Sequence, residues 1–431
     1  MTTNKHHAHR SSANLRWLGR ITTLLLAIVA IAPLHAAPSR DAAHWVPTWT
    51  ASPQPRWDGD FALPTNLPEQ LWNQTVRQSL RVSVGGKRVR VMLSNEYGTK
   101  PLLIGAAHLA LAGEGAAING GSDRALTFGG QTTVTIPPGA PAISDPVELD
   151  VAPLGRVTVS LFLPEPTPPA TFHWDARQAT QIVAGNQVAA GNFKADSTLS
   201  TRLFLSSVMI DAPDDARTVV AFGDSITDGA MSTMNTDHRW PDFLAARLAK
   251  DHVAVLNAGI SGARVLRDKM GVNALARFER DVLSQPNLKS VIVLMGINDL
   301  SWNAMVFAPH DTPVQAFELI AGYRQLIARA HARGVRILGA TLTPFEGAMQ
   351  DTPMRGYYSA DKERVRQAVN RWIRDSGEFD AMVDFDVVMR DPAHAARVLA
   401  AYDSGDHLHP GDAGYKAMAD VIDMRTLFGS D

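Results

Sequence analysis

Cysteine is absent from the 431-residue sequence. Without cysteine the chain cannot form disulfides, use a thiol as a nucleophile or bind a metal through thiolates. A surplus of either charge is also lacking, because 41 Lys and Arg residues stand against 43 Asp and Glu residues. No block of Lys or Arg indicates nucleic acid or a membrane surface as the partner. These absences favour a small or neutral partner.

A long apolar run is lacking as well. The apolar stretch "ITTLLLAIVAIAPL" at residues 21–34 is shorter than the roughly 20 apolar residues that span a bilayer. Basic residues precede it and "HAAPS" follows it, which is the pattern of a secretory signal. We expect residues 1–36 to be a signal peptide cleaved near Ala36. The product would be secreted or periplasmic without stable membrane insertion, and an uncleaved anchor is the alternative.

Short apolar runs with a period of two fill residues 45–210, and Gly and Pro separate them. This pattern predicts an all-β domain of the sandwich or jelly-roll type. In "LRVSVGGKRVRVML", at residues 80–93, the alternation on both sides of Gly85 and Gly86 predicts a two-residue hairpin.

The pattern changes after the polar connector at residues 211–217. From residue 218 to residue 431, strand-like runs alternate with helical stretches, which predicts an α/β domain with a parallel sheet. The predicted strands are "TVVAF", "VAVLNA", "SVIVLM", "RILGAT" and "AMVDFD". Two of the stretches between them, residues 314–334 and 360–375, carry apolar residues at intervals of three and four, as amphipathic helices do.

Four polar blocks follow predicted strands of this second domain. They are "GDS" at 223–225, "NAGISG" at 257–262, "MGIND" at 295–299 and "DHLHP" at 406–410. Taken singly, Gly, Asp and Ser are ordinary residues of turns and helix caps. Because ligands of such sheets sit outside the carboxyl ends of the strands, we expect the four blocks to meet at one edge.

In this order the four blocks resemble the signature blocks of the SGNH hydrolases, also called GDSL esterases and lipases. The resemblance covers residues 218–425 and implies a flavodoxin-like, three-layer α/β/α fold. It also implies that Ser225 is the nucleophile, His409 the general base and Asp406 the group that orients the base. The G-x-S-x-G motif of α/β-hydrolases is missing, since Ile226 and Thr227 follow the serine.

The resemblance further assigns an oxyanion hole to the backbone amides of Ser225 and Gly262 and to the side-chain amide of Asn298. It implies no cofactor and no metal. Simpler roles stay open for three residues: Gly262 as a turn glycine, Asn298 as a helix cap, and Asp224 as a turn or cap carboxylate.

A metal hydrolase is the second hypothesis for the last block. Carboxylates and imidazoles are ligands of zinc or magnesium, and four of them occur together: Asp403, Asp406, His407 and His409. A metal site there would leave the other three blocks unexplained. His407 is more simply a solvent-facing or core residue.

A binding module with an inactive hydrolase is the third hypothesis. Five tryptophans of the β domain could stack on sugars, although packing in the core is the simpler expectation: Trp45, Trp49, Trp57, Trp72 and Trp174. We expect an exported serine hydrolase of short-chain or acetyl esters on a small molecule or a polysaccharide. A lipase, lysophospholipase or acyltransferase of the same family is the alternative.

Overall fold

Antiparallel sheets precede residue 212 and a parallel sheet follows it. The structure is a computed structural model that describes residues 43–57 and 61–429. The described residues cluster as one compact unit, so the division into domains at 45–210 and 218–431 stays a prediction. The expected signal peptide, residues 1–36, lies outside the described residues. Among the helices described, none has the length and apolar character needed to cross a membrane.

The described residues before Ala212, called the first region below, contain sixteen strands. They are β1 (Trp45–Thr50), β2 (Gln54–Pro55), β3 (Gln74–Arg81), β4 (Gly86–Ser94), β5 (Leu102–Ile104), β6 (Ala106–Leu111), β7 (Arg124–Ala125), β8 (Val134–Ile136), β9 (Pro141–Ile143), β10 (Val147–Val151), β11 (Arg156–Leu163), β12 (Thr171–His173), β13 (Thr180–Ala184), β14 (Ser197–Leu199), β15 (Arg202–Leu203) and β16 (Leu205–Asp211). One sheet has the order β1-β16-β4-β10, with β9 also paired to β4, and a second has the order β14-β13-β3-β11-β6-β7. Alternate residues of both sheets share one apolar core, which confirms the β-rich first region.

The predicted hairpin at Gly85 and Gly86 is wrong. Strands β3 and β4 lie in different sheets, so the chain crosses between sheets here and does not fold back. Two-residue hairpins need a positive φ, and neither glycine has one. Gly85 instead allows a close approach, because a Cβ there would lie 2.4 Å from the carbonyl oxygen of Val151.

The second region holds the parallel sheet. Its strands are β17 (Arg217–Gly223), β18 (Val253–Gly259), β19 (Leu288–Leu294), β20 (Arg336–Ala340) and β21 (Ala381–Val383), in the order β18-β17-β19-β20-β21. Its helices are α1 (Ser225–Asp228), α2 (Trp240–Leu248), α3 (Ala274–Phe278), α4 (Ile297–Ser301), α5 (Ala316–Ala332), α6 (Ala360–Asp375), α7 (Phe385–Met389), α8 (Asp412–Asp420) and α9 (Met424–Phe428). A small hairpin, β22 (Arg390–Asp391) and β23 (His394–Val398), precedes the last block. The five strands and the two long helices confirm the predicted α/β fold.

Helices cover both faces of this sheet because its strands are apolar on both faces. On β17, Val220 and Phe222 face the core under α5, whereas Val219 and Ala221 face the core under α2 and α8. A strand buried on both sides is characteristic of parallel sheets. The result is a three-layer α/β/α arrangement with the strand order of flavodoxin-like folds.

The first region covers the open edge of the parallel sheet. Strand β18 is the edge strand, and the hydroxyl of Ser83 accepts a hydrogen bond from the backbone N–H of Val255 (2.8 Å). The Thr50 hydroxyl donates to the carbonyl of Asn257 (3.1 Å). An exposed edge strand invites pairing with other chains, so these contacts both protect the sheet and join the two regions.

Candidate active site

The first block places Ser225 at the start of α1. Strand β17 ends at Gly223, and the carboxylate of Asp224 caps the helix by accepting the N–H of Ile226 (3.1 Å). Burial raises the pKa of Asp224 to about 7, against the lowering effect of that N–H. Asp224 thus caps helix α1, which is the simpler role expected for it.

Ser225, His409 and Asp406 form one chain of hydrogen bonds. The Oγ of Ser225 lies 2.8 Å from Nε2 of His409, and Nδ1 of His409 lies 2.6 Å from Oδ2 of Asp406. A carboxylate accepts only, so Nδ1 carries a proton and Nε2 of the neutral ring is left to accept the proton of Ser225. The arrangement can remove a proton from the serine hydroxyl.

Asp406 is held by its own loop. Its second oxygen accepts the N–H of Leu408 (2.9 Å) and of His409 (2.8 Å). Burial acts to raise the pKa of Asp406, but the hydrogen bond and charge of His409 and the two N–H groups outweigh it and hold the pKa well below its usual range. Asp406 is therefore ionised at neutral pH and can stabilise a positive imidazolium.

Two backbone amides of the polar blocks have no acceptor among the described residues. Within residues 43–57 and 61–429, neither the N–H of Ser225 nor that of Gly262 donates to a protein group. Gly262 is the third residue of a turn closed by the N–H of Ala263 on the carbonyl of Ile260 (2.9 Å), and its φ is +75°. It is thus a turn glycine whose own N–H is free to bind a negative oxygen.

Asn298 brings a third donor. It lies inside α4 and does not cap it, since Gly296 holds the cap position. One amide hydrogen goes to the carbonyl of Ala263 (3.0 Å), while the side-chain oxygen accepts the hydroxyl of Tyr357 (2.6 Å). Burial raises the pKa of Tyr357 well above its usual value, so the hydroxyl stays a donor. Asn298 thus keeps one amide hydrogen for another acceptor.

The chain also matches a family model. Residues 221–417 match the GDSL-like Lipase/Acylhydrolase family. Residues 221–417 are called the GDSL-like region below. All four blocks fall inside it, so the resemblance predicted from the blocks is confirmed, and with it the class of carboxylic ester hydrolases.

Solved structures of related proteins also resemble the chain. A GDSL-like lipase from Bacteroides thetaiotaomicron VPI-5482 is 19% identical over 48% of this chain and 85% of that chain, with a TM-score of 0.36. A carbohydrate acetylesterase family member from Sinorhizobium meliloti is 19% identical over 50% of this chain and 100% of that chain (TM-score 0.40). An inhibitor-bound aryl esterase from M. smegmatis is 18% identical over 47% and 95% (TM-score 0.38). None of the curated proteins compared matches the chain. At these identities and TM-scores, the assignment rests on the family match.

The four candidate metal ligands of the GDSL-like region form two separate pairs. His407 binds Asp403, and His409 binds Asp406. Across the described ranges, no group of three or more His, Asp or Glu side chains is arranged to hold a metal ion. His407 is exposed to solvent, in agreement with the simpler role expected for it.

The tryptophans of the first region do not share one exposed surface. Trp49 and Trp57 are buried, and Trp57 packs on Phe172 and Trp174. Trp72 is exposed, and Trp45 stacks under the guanidinium of Arg90 (4.4 Å). Core packing accounts for the buried ones.

No sequence motif marks two features of the site, the Tyr357 hydroxyl and the pair of Asp228 with His173. Tyr357 lies 59 residues after Asn298, and no pattern near "RGYYS" marks it. Asp228 lies within the first block's helix and bonds His173 of the first region (2.9 Å). The one sign of Asp228 in the sequence is a carboxylate in "SITDG", three residues after Ser225, and the sequence does not show what that carboxylate contacts.

Proposed function

We propose that the protein is a serine esterase that works through an acyl-enzyme on Ser225. The observation that carries the proposal is the hydrogen-bond chain from Ser225 through His409 to Asp406 beside two free amides. Such a chain supplies a nucleophile, a base and an orienting group in one place.

In the first half-reaction, Ser225 Oγ attacks the ester carbonyl carbon while His409 Nε2 takes the hydroxyl proton. The tetrahedral intermediate collapses, the bond to the leaving oxygen breaks, and His409 returns the proton to that oxygen. The alcohol leaves and the acyl group stays on Ser225. In the second half-reaction, water attacks the acyl carbon while His409 Nε2 takes a proton from the water. The bond to Ser225 Oγ then breaks, His409 returns the proton to Oγ, and the acid leaves. Asp406 remains ionised throughout and stabilises the imidazolium.

The oxyanion of each intermediate is stabilised, in this proposal, by the N–H groups of Ser225 and Gly262 and the free amide hydrogen of Asn298. These donors do not titrate at neutral pH, so they keep their effect wherever the base is active. Fixed donors aimed at a developing charge are commonly the largest single contribution to catalysis.

For substrate, we propose short-chain or acetyl esters of a small molecule or a glycan. Ser225 and His409 are each only 7% exposed, which favours a slender acyl group. The turn from Ile260 to Ala263, called the oxyanion turn below, is also crowded. A Cβ on Gly262 would lie 2.3 Å from the sulfur of Met270 and 3.0 Å from the ring of Trp302.

The test is a chain-length series of nitrophenyl esters, run beside acetylated xylan and pectin with acetate release measured. We expect the highest kcat/KM on acetyl or propionyl esters and no turnover by Ser225→Ala. Ser232→Ala is the matched control, because Ser232 is a buried serine that hydrogen-bonds Gly229 (2.7 Å) outside the triad. A preference for long acyl chains would favour a lipase. Transfer of the acyl group to an added alcohol, at the expense of hydrolysis, would favour an acyltransferase.

We also propose that the protein is exported. The basic, apolar and small-residue segments of residues 1–36 support this. Expression of the full chain followed by N-terminal sequencing of the protein from medium and periplasm tests it. A mature chain that starts near residue 37 is expected, whereas a full-length chain in the membrane fraction would point to an uncleaved anchor.

A further inference from the structure

A buried carboxylate outside the triad lies one helical turn after the nucleophile. Asp228 is 1% exposed and closes the short helix α1. One of its oxygens accepts both the N–H (3.0 Å) and the hydroxyl (2.8 Å) of Ser261. The other oxygen faces Nε2 of His173 (2.9 Å). Both oxygens of this carboxylate are therefore occupied by protein donors.

His173 comes from the first region, at the end of β12, and is 5% exposed. Its Nδ1 lies 3.0 Å from the carbonyl oxygen of Ser52, which can only accept. Its Nε2 faces Asp228, which already accepts two hydrogen bonds from Ser261. A single hydrogen bond thus joins the ring to the carboxylate. Burial of a carboxylate without such a partner is strongly unfavourable.

Ser261 connects this pair to the oxyanion turn. Ser261 and Gly262 are the two central residues of the turn from Ile260 to Ala263. The direction of the Gly262 N–H depends on the orientation of the peptide group between these two residues. Asp228 fixes Ser261 at both its N–H and its hydroxyl, so it fixes one end of that peptide group.

We propose that His173 and Asp228 are positioning residues for the oxyanion turn, and that the first region thereby completes the active site of the GDSL-like region. The inference rests on the proposed function, because it needs the Gly262 N–H to be an oxyanion donor. His173 keeps Asp228 in place, Asp228 keeps Ser261 in place, and the amide of Gly262 is aimed as a result. Neither residue touches the substrate.

His173→Phe tests the proposal, because phenylalanine keeps a ring of similar size and removes both ring nitrogens. His108→Phe is the matched control: His108 also pairs with an aspartate of the first region, Asp123 (2.9 Å), but has no link to the four blocks. On nitrophenyl acetate, we expect His173→Phe to lower kcat by about tenfold to a hundredfold with little change in KM, as a misplaced donor does. His108→Phe should keep the wild-type kcat.

Three further readouts separate positioning from a merely structural role. Melting temperatures identify assay conditions in which each variant is folded. His173→Gln retains one N–H donor and should recover part of the lost kcat, and it replaces His173→Phe if that variant does not fold. His173→Phe added to Asp228→Asn should cost little beyond Asp228→Asn alone, because both act on Ser261.

The outcomes distinguish this inference from the proposed function. A folded His173→Phe with wild-type kcat, beside an inactive Ser225→Ala, overturns the positioning role and leaves the serine mechanism standing. Full additivity of the His173 and Asp228 effects also overturns it. Turnover by purified Ser225→Ala would remove the proposed function itself.

Discussion

The side chain of Asn298 has four hydrogen-bonding positions, and its surroundings leave one amide hydrogen for a ligand. One hydrogen is held by the Ala263 carbonyl and the oxygen is held by the Tyr357 hydroxyl. This arrangement fixes which end of the amide faces the site. A donor held in advance stabilises a transition state without reorganisation at the moment of reaction.

Asn298→Ala should therefore lower kcat by roughly a hundredfold or more with little change in KM. The reason is that the carbonyl oxygen is neutral in the bound substrate and gains negative charge only in the transition state that leads to the tetrahedral intermediate. Steady-state kinetics and a melting curve on the same purified variant check this. A lower melting temperature with near-normal kcat would make Asn298 a structural residue only.

Tyr357→Phe should lower kcat by a smaller factor, about tenfold, because the amide keeps its place in α4 but loses the bond to its oxygen. Tyr358→Phe is the matched control: Tyr358 is adjacent and packs on Phe345, and it makes no hydrogen bond to Asn298. Equal kcat values for the two variants would argue against a role of Tyr357 in the site.

The buried cap Asp224 predicts a pH dependence of stability. Its pKa is raised to about 7 in the folded state from 3.8, so the folded protein holds this proton more tightly than the unfolded chain does. Stability contributed by Asp224 is then present at low pH and lost as pH rises from about 4 to 7, by up to about 1.4 kcal/mol per pH unit. Asp224→Asn stays neutral and can still cap the helix. The free energy of unfolding of wild type minus that of the variant should fall across this window, and a flat difference would contradict the buried, protonated cap.

At the scale of elements, the parallel strands and α6 could be predicted because their signals are local. Strands buried on both faces appear as continuous apolar runs, and the periodic stretch at residues 360–375 has the same bounds as helix α6. The failed hairpin shows the limit. Gly85 and Gly86 look like a turn, but long-range pairing of β3 with β11 and β13 and of β4 with β16 decides where the two strands go.

The candidate site divides in the same way. Ser225, Gly262 and Asn298 follow strands β17, β18 and β19, so their meeting at one edge follows from a parallel sheet, whereas helix α7 and the β22-β23 hairpin separate the last block from β21. Tyr357 and His173 reach the site from a loop and from another sheet, and their contacts depend on packing that no short pattern encodes. The contacts of Tyr357 with Asn298 and of His173 with Asp228 are therefore the parts of the site that the sequence could not predict.

One element-scale prediction concerns the oxyanion turn. Gly262→Ala places a Cβ where φ is +75° and where Met270 and Trp302 already lie. We expect a distorted turn, with loss of most ester turnover and a lowered melting temperature. Gly405→Ala is a useful control, because Gly405 also has a positive φ, of 102°, with open space around it. Retained turnover in Gly262→Ala would mean that the turn is not needed in this shape.

At the scale of the whole molecule, the first region and the GDSL-like region are joined by buried and partly buried contacts. They include the bond from Val255 to Ser83, the Asp228–His173 pair and the ion pair of Arg280 with Glu96. We expect residues 43–431 to unfold in one cooperative transition, with equal calorimetric and van't Hoff enthalpies. Two separate transitions would instead support domains at 45–210 and 218–431 that are independently stable.

The central claim, that Ser225 is the nucleophile, is tested most directly by covalent labelling. The native enzyme is treated with a serine-directed fluorophosphonate and then examined by intact mass and peptide mapping. The account predicts a single adduct, on the peptide that contains Ser225, with activity lost in proportion to labelling and no adduct on Ser225→Ala. An adduct on another residue that abolishes activity, or full activity after complete labelling of Ser225, would contradict it.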